Sequence, residues 1–314
     1  MRNLSHWQHW IGVDQTGAAR AQGRSAAPLP VCWIHAETPE KAQIHLLESG
    51  PKSSLLTLES LTPRCLKDLA SSLGHPSPGE ETLLLLDCVL GLPAALECRD
   101  PLWRLFEKAS MDRSPAFGRG PAEAFFAELL SEGGGSPEDP IPTRAIEKAL
   151  GANSVFRSRP YQKNIQTGTY RMWRDLGLGL RDHQGKPWLA LWPQDFQEGP
   201  PAPELPVALE GYPSFLWKTL FGTSPRAPDR IVSLAETASQ EHGIRLEWVS
   251  TSQEGVQRRL AQSPDHADAL VLALGGLLLA KTGNLFPESL LGRRLIQEGW
   301  IAGADPRILK GTPR

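Results

Sequence analysis

The sequence predicts an α/β fold: a mixed sheet flanked by helices, with a large, mostly helical insertion. Three observations carry that expectation. Short β-rich runs in the first and last thirds of the chain stop at acidic residues. One of them, residues 82–86, is apolar throughout, as strands covered on both faces are. Between and after these runs, apolar side chains recur at helical spacing.

His9-Trp10-Ile11-Gly12-Val13 ends at Asp14 and is followed by a Gln15-Thr16-Gly17 turn, so it reads as a strand with a carboxylate at its end. Residues 30–36, with Val31, Trp33 and Ile34, and residues 43–48 give two more strands, and their close succession suggests an antiparallel meander. Residues 63–73 place Leu66, Leu69, Ala70 and Leu73 at helical spacing. The apolar strand 82–86 ends at Asp87, and residues 102–111 read as a helix. From 112 to 206 the chain is rich in Gly, Pro and Arg, with helical pieces near 121–130 and 143–150 and a connector, Gly133-Gly134-Gly135-Ser136-Pro137. Residues 188–192 form a possible strand within it. We read 112–206 as an insertion lobe on a core made of 1–111 and 207–314. The core pattern resumes with a strand at 207–209 ending at Glu210, helices at 214–221 and 228–242, a strand at 245–249 and an apolar helix at 265–281.

The 314 residues are 40% hydrophobic and 22% charged, which supports a real core and excludes a mainly disordered chain. With 33 basic and 35 acidic side chains the formal charge is -2. That disfavours non-specific coating of nucleic acid, but not an enzyme that meets a phosphodiester through metal ions. Cys32, Cys65, Cys88 and Cys98 form no CxxC pair and have no His at zinc spacing, so neither a disulfide framework nor a zinc site is expected. The start of the chain lacks the apolar stretch of a secretory signal. The longest apolar run, 269–280, is shorter than the about 20 residues a spanning helix needs. The expectation is a cytoplasmic protein with no membrane partner. No GxSxG and no Cys–His pair mark a nucleophile.

Asp14, Asp87 and Glu210 each follow a strand at its carboxyl end, where α/β sheets bind ligands. Asp265 and Asp268, at i and i+3, share one side of a helix N-terminus. Clustered carboxylates repel unless a cation neutralises them, and oxygen donors suit Mg²⁺ or Mn²⁺. Two such ions about 3.5–4 Å apart stabilise the attacking and leaving oxygens of phosphodiester cleavage. One Asp after a strand is as readily a turn residue or a helix cap, so the expectation rests on the set rather than on any member.

The ordered stretches Ile11-Gly12-Val13-Asp14, Leu86-Asp87-Cys88-Val89-Leu90-Gly91-Leu92-Pro93, Leu209-Glu210-Gly211-Tyr212-Pro213, Asp265-His266-Ala267-Asp268-Ala269-Leu270 and Glu298-Gly299-Trp300-Ile301 resemble the ribonuclease H-like fold. Within that fold they resemble its RuvC-like nuclease branch and, more narrowly, the DUF429 family of predicted RNase H-like nucleases. The resemblance implies a five-stranded sheet with the first three strands antiparallel, and metal-dependent hydrolysis of nucleic acid, DNA or RNA. It implies Asp14, Asp87, Glu210, Asp265 and Asp268 as metal ligands. Of these, Asp14, Asp87 and Asp268 are the catalytic set, with Asp14 bridging two ions. The chain departs from the pattern at Asp87, where RuvC-like nucleases usually present Glu. Glu210 follows the DUF429-like pattern rather than the minimal nuclease set, and has a second reading as the residue that orients the Tyr212-Pro213 turn.

Residues 155–174 hold Arg157, Arg159, Lys163, Arg171 and Arg174 with no acid, interleaved with Phe156, Tyr161, Tyr170 and Trp173. Basic groups that track a backbone and aromatic faces that stack bases are what a single strand requires. The same residues serve equally as arginines paired with core acids and as buried aromatics. His266 is a possible proton shuttle or a first-turn residue. Asp14-Gln15-Thr16-Gly17 resembles the phosphate loop of the sugar kinase and actin superfamily, but its Gly and Thr are in the wrong order. The leading expectation is a metal-dependent nuclease. The alternatives are a non-catalytic nucleic-acid-binding or scaffold module on the same fold and, lower, a nucleotide-dependent phosphotransferase.

Overall fold

The computed structural model describes residues 7–14, 30–47, 81–96, 100–111, 119–134, 142–156, 165–177, 187, 189–196, 205–222, 230–249, 253–283, 285, 297–305 and 307. The helix expected over 63–73 lies outside them.

Seven strands form one mixed sheet: β1 (His9–Val13), β2 (Val31–Thr38), β3 (Lys41–Leu47), β4 (Thr82–Leu86), β5 (Ala190–Leu191), β6 (Val207–Glu210) and β7 (Arg245–Trp248). Their order is β5-β6-β4-β1-β2-β3-β7. β1, β2 and β3 are the expected antiparallel meander. On the other side of β1, β4 and then β6 join in parallel. The five strands that the resemblance implies are exceeded by two edges that the sequence pattern itself offered: β7, parallel to β3, and β5, parallel to β6 and contributed by the insertion.

The described helices are α1 (Leu102–Met111), α2 (Arg119–Glu132), α3 (Ala145–Leu150), α4 (Ile165–Gly177), α5 (Pro213–Phe221), α6 (Ile231–Glu241), α7 (Gln253–Gln262) and α8 (Pro264–Thr282). Strand alternation sorts the core into two halves. Ile11, Val13, Trp33, Leu84 and Leu86 face α1, α2 and α4. Trp10, Ile34, Leu83, Leu85 and Leu209 face the other way, toward α5 to α8. Among the described residues, the stretch 112–206 supplies α2 and α4 to one helical layer and β5 to the sheet edge.

α8 is apolar on all sides because it is buried on all sides, from Ala267 to Ala280. Ser263 caps it, with its hydroxyl accepting from the His266 N–H, and Pro264 opens its first turn. The helix backbone lies directly on β1. A Cβ at Gly12 would stand 2.0 Å from the Ala269 carbonyl oxygen and 2.5 Å from the Ala273 nitrogen. Only glycine admits that approach, and it brings the first turns of α8 beside the end of β1. Among the described residues, no helix is long and apolar enough to cross a membrane.

Candidate carboxylate site

Neighbouring parallel strands in register end side by side. Val13 pairs with Leu86, and the Asp87 N–H donates to the Val13 carbonyl at 3.0 Å, so Asp14 and Asp87 leave the sheet together. Alternation turns both toward the α8 face, since Gly12 packs on α8 and Leu85 lies in the same half of the core. Asp268 comes to them from α8, and its Oδ1 accepts from the Trp217 indole N–H of α5 at 3.0 Å. Asp14 and Asp268 are buried, while Asp87 and Asp265 are half-buried.

The consequence is electrostatic. The Asp14 carboxyl is held well above the usual carboxylate range, first by burial, then by the charges of Asp87 and Asp268, by a hydrogen bond with Asp87, and by the charge of Asp265. Burial and crowded negative charge both favour the protonated form of Asp14. Tyr212, two residues beyond β6, stands near enough to Asp87 that burial and the Asp87 charge push its phenol up. His266 is tied to the helix cap, its Nδ1 2.6 Å from the Ser263 hydroxyl.

Glu210 does not join this group. It pairs in register with Leu86, so its side chain emerges on the opposite face from Asp14 and Asp87. The residue of β6 level with Asp87 is Gly211, whose N–H donates to the Leu86 carbonyl at 2.8 Å and which has no side chain to offer. The Glu210 carboxylate is instead bound by Arg144, Nη1 to Oε2 at 2.6 Å and Nη2 to Oε1 at 2.5 Å, and accepts the Leu90 N–H at 2.8 Å. With both oxygens engaged, Glu210 has the role of an internal counter-ion and is corrected from a metal ligand to that role.

Arg144, Glu147 and Glu298 were not anticipated as a unit. Arg144 Nε donates to Glu147 Oε1 at 2.8 Å, and Arg144 Nη1 donates to the Glu298 main-chain oxygen at 2.9 Å. The Glu298 carboxylate receives the Ala145 N–H at 2.9 Å and the Ala94 N–H at 3.2 Å. The Arg-x-x-Glu spacing at 144–147 was the one local sign of this, since it is the spacing of a helix N-terminal box. Tyr212 and Trp217 were also missed as neighbours of the carboxylates.

The basic and aromatic stretch divides. Arg157, Arg159, Tyr161 and Lys163 lie outside the described residues. From Ile165 onward the chain is α4, whose aromatic stripe turns inward. Trp173 is 0% exposed, stacks on Phe106, and donates its indole N–H to the Val89 carbonyl at 2.7 Å. Arg171 is 6% exposed. Both are corrected from strand-holding groups to interior ones, because a helix packed on a sheet buries the residues at i, i+3 and i+6 that Tyr170, Trp173 and Leu176 occupy. Arg174 is half-buried.

The all-oxygen donor set and its mutual repulsion suit a hard divalent cation. Among the described residues, no group of three or more His, Cys, Asp or Glu is arranged as it stands to hold a metal ion. No family model matches the chain, and neither a curated protein nor a solved structure does.

Proposed function

We propose that the chain is a divalent-metal-dependent phosphodiesterase, a ribonuclease H-like nuclease that uses Mg²⁺ or Mn²⁺ on DNA or RNA. One observation carries the reading: Asp14, buried at the end of β1, is pressed by the charges of Asp87, Asp268 and Asp265 together. Supporting it, β1 to β3 are antiparallel, as the sequence resemblance implies for the first three strands, and β4 pairs in parallel with β1 and β6 with β4.

In this reading Asp14, Asp87 and Asp268 hold the cation, with Asp265 at the rim. The bound cation supplies charge neutralisation and a water acidified toward neutrality. The protein's own part is to position and to exchange a proton. A cation bound there would favour the ionised form of Asp14, against the burial and neighbouring charges that raise its pKa. Trp217 fixes one oxygen of Asp268, so the other is aimed. The Tyr212 phenol, kept protonated beside Asp87, donates to a phosphate oxygen.

The test is cleavage of single-stranded, hybrid and branched substrates in Mn²⁺ or Mg²⁺, with Asp14→Asn and Asp268→Asn alongside. The expected loss in each variant is ~100-fold or more, the scale on which removing one charge-stabilising group acts. Unchanged activity in both overturns the assignment. The second reading is a non-catalytic module on the same fold. It is favoured by the want of a three-donor cage among the described residues and by the burial of Trp173 and Arg171. It predicts no cleavage and a melting temperature insensitive to divalent cations.

A further inference from the structure

We propose that Arg144 is the positioning residue of the carboxylate site, acting through Glu210 on the turn that carries Asp87. The inference rests on the metal-dependent reading of Asp14, Asp87 and Asp268.

Arg144 is 1% exposed and comes from the insertion, yet it reaches the carboxyl end of the central strands. Its fork takes both oxygens of Glu210, which fixes that carboxylate in plane as well as in place. The oxygen so fixed, Oε2, is the acceptor of the Leu90 N–H at 2.8 Å. Leu90 is three residues beyond Asp87. The turn that holds Asp87 is thus held by the Asp87 N–H on Val13 at one end and by Glu210 at the other, with Val89 bound between them by Trp173 and Thr169 and the Leu90 carbonyl by Gln194.

Nothing in this lock has slack. Gly91 crosses the Glu298 backbone so closely that a Cβ would stand 1.9 Å from the Glu298 oxygen. That oxygen's segment is itself held by Arg144 Nη1. The guanidinium therefore sets the height of the 87–91 turn against two partners at once. Asp87 opens that turn and leaves the sheet beside Asp14, so a small shift of the turn changes the donor spacing directly.

Arg144→Lys separates position from charge: the cation stays and the planar fork is lost. The full chain is compared with this variant by amide hydrogen exchange, by Mn²⁺ binding followed by electron paramagnetic resonance, and by kcat and KM on a substrate that the wild type cleaves. The expected result has four parts: intact protection in β1, faster exchange at Leu90, Mn²⁺ affinity lower by ~10-fold, and kcat reduced with KM nearly unchanged. Wild-type Mn²⁺ affinity and kcat in the variant, with or without faster exchange at Leu90, overturn the inference alone. A wild type that binds no Mn²⁺ and cleaves nothing overturns the metal reading and this inference with it. Should Arg144→Lys not fold, Glu210→Gln replaces it, with the same expected and overturning results.

Discussion

Glu147 and Glu210 hold a guanidinium on one face of the sheet; Asp14, Asp87, Asp265 and Asp268 gather on the other. Burial acts alike on Glu147 and Asp14, raising the pKa of each. Their company differs. The charge and hydrogen bonds of Arg144 pull Glu147 back down, whereas each neighbour acting on Asp14 pushes it further up. Folding completes the first cluster with a cation of its own. The second is completed only by something from outside, a proton or a metal ion. An acidic cluster inside a fold is therefore read by its counter-charge, not by its acids.

The harshest way to break this comparison is to take the counter-ion from the first cluster. Arg144→Met leaves two glutamates, Glu147 and Glu210, buried beside an apolar side chain. Removing one partner of a buried ion pair costs about 3–5 kcal/mol, and most of a domain's stability can go with it. Urea unfolding should show that loss. Glu210→Gln should cost less, because it lowers the negative charge facing the guanidinium and retains one acceptor.

Next in size is the supply of a counter-ion to the second cluster. Mn²⁺ at about 100 times its dissociation constant should stabilise the wild type by about 2.7 kcal/mol, and Asp14→Asn should abolish most of that gain. A thermal shift series over metal concentration reads both. Equal shifts in the two proteins would mean that Asp14 holds no cation.

The comparison also explains what could be read in advance. Each of the seven strands was visible as a bounded, apolar or β-branched run, down to the two residues of β5 within 188–192. The meeting of Asp14 with Asp87 followed from two adjacent strands that each end on an acid. Glu210 misled because an acid at a strand end looks the same on either face, and only the Leu86 register decides which face it takes. Arg144 was invisible for a deeper reason. Its partner Glu210 is 66 positions away, and the one local sign, the Arg-x-x-Glu spacing at 144–147, marks a helix start and not an interior arginine. In α4 the sequence left a strand-binding surface and a buried face both open, and the inward stripe of Tyr170, Trp173 and Leu176 decides for burial. α7 was missed because its buried stripe is thin, resting on Val256 and Leu260.

A smaller effect tests the sign of the second cluster. Folding raises the Asp14 pKa above its ordinary 3.8, so the native state keeps a proton that the unfolded chain has released. The stability due to that proton is complete below 3.8 and is lost as pH rises through the native value. Metal-free protein should therefore be more stable near pH 5 than near pH 7, as far as this group decides it. Asp14→Asn should flatten that dependence and, at neutral pH without metal, raise stability by roughly 1 kcal/mol, about 2–4 °C in Tm. A variant that gains stability while losing cleavage is the signature of a site whose repulsion is kept for a ligand.

Asp265→Asn should have the smallest effect, for two opposed reasons. Asp265 lies in the first turn of α8, where a negative charge meets the positive end of the helix dipole and gains about 0.3–1 kcal/mol. It also adds to the charge that presses on Asp14, as the last and weakest contributor. Removing the charge forfeits the first term and relieves the second. Because Asp265 is half-buried, both terms are damped by solvent, and the net change should stay within about 0.5 kcal/mol. Asp268→Asn has no such compensation. Asp268 is buried one turn further into the helix and presses on Asp14 more strongly, so it should follow Asp14→Asn in direction. Matched unfolding curves for the two variants therefore locate the boundary of the cluster. If Asp265→Asn stabilises as much as Asp268→Asn, the rim belongs to the site.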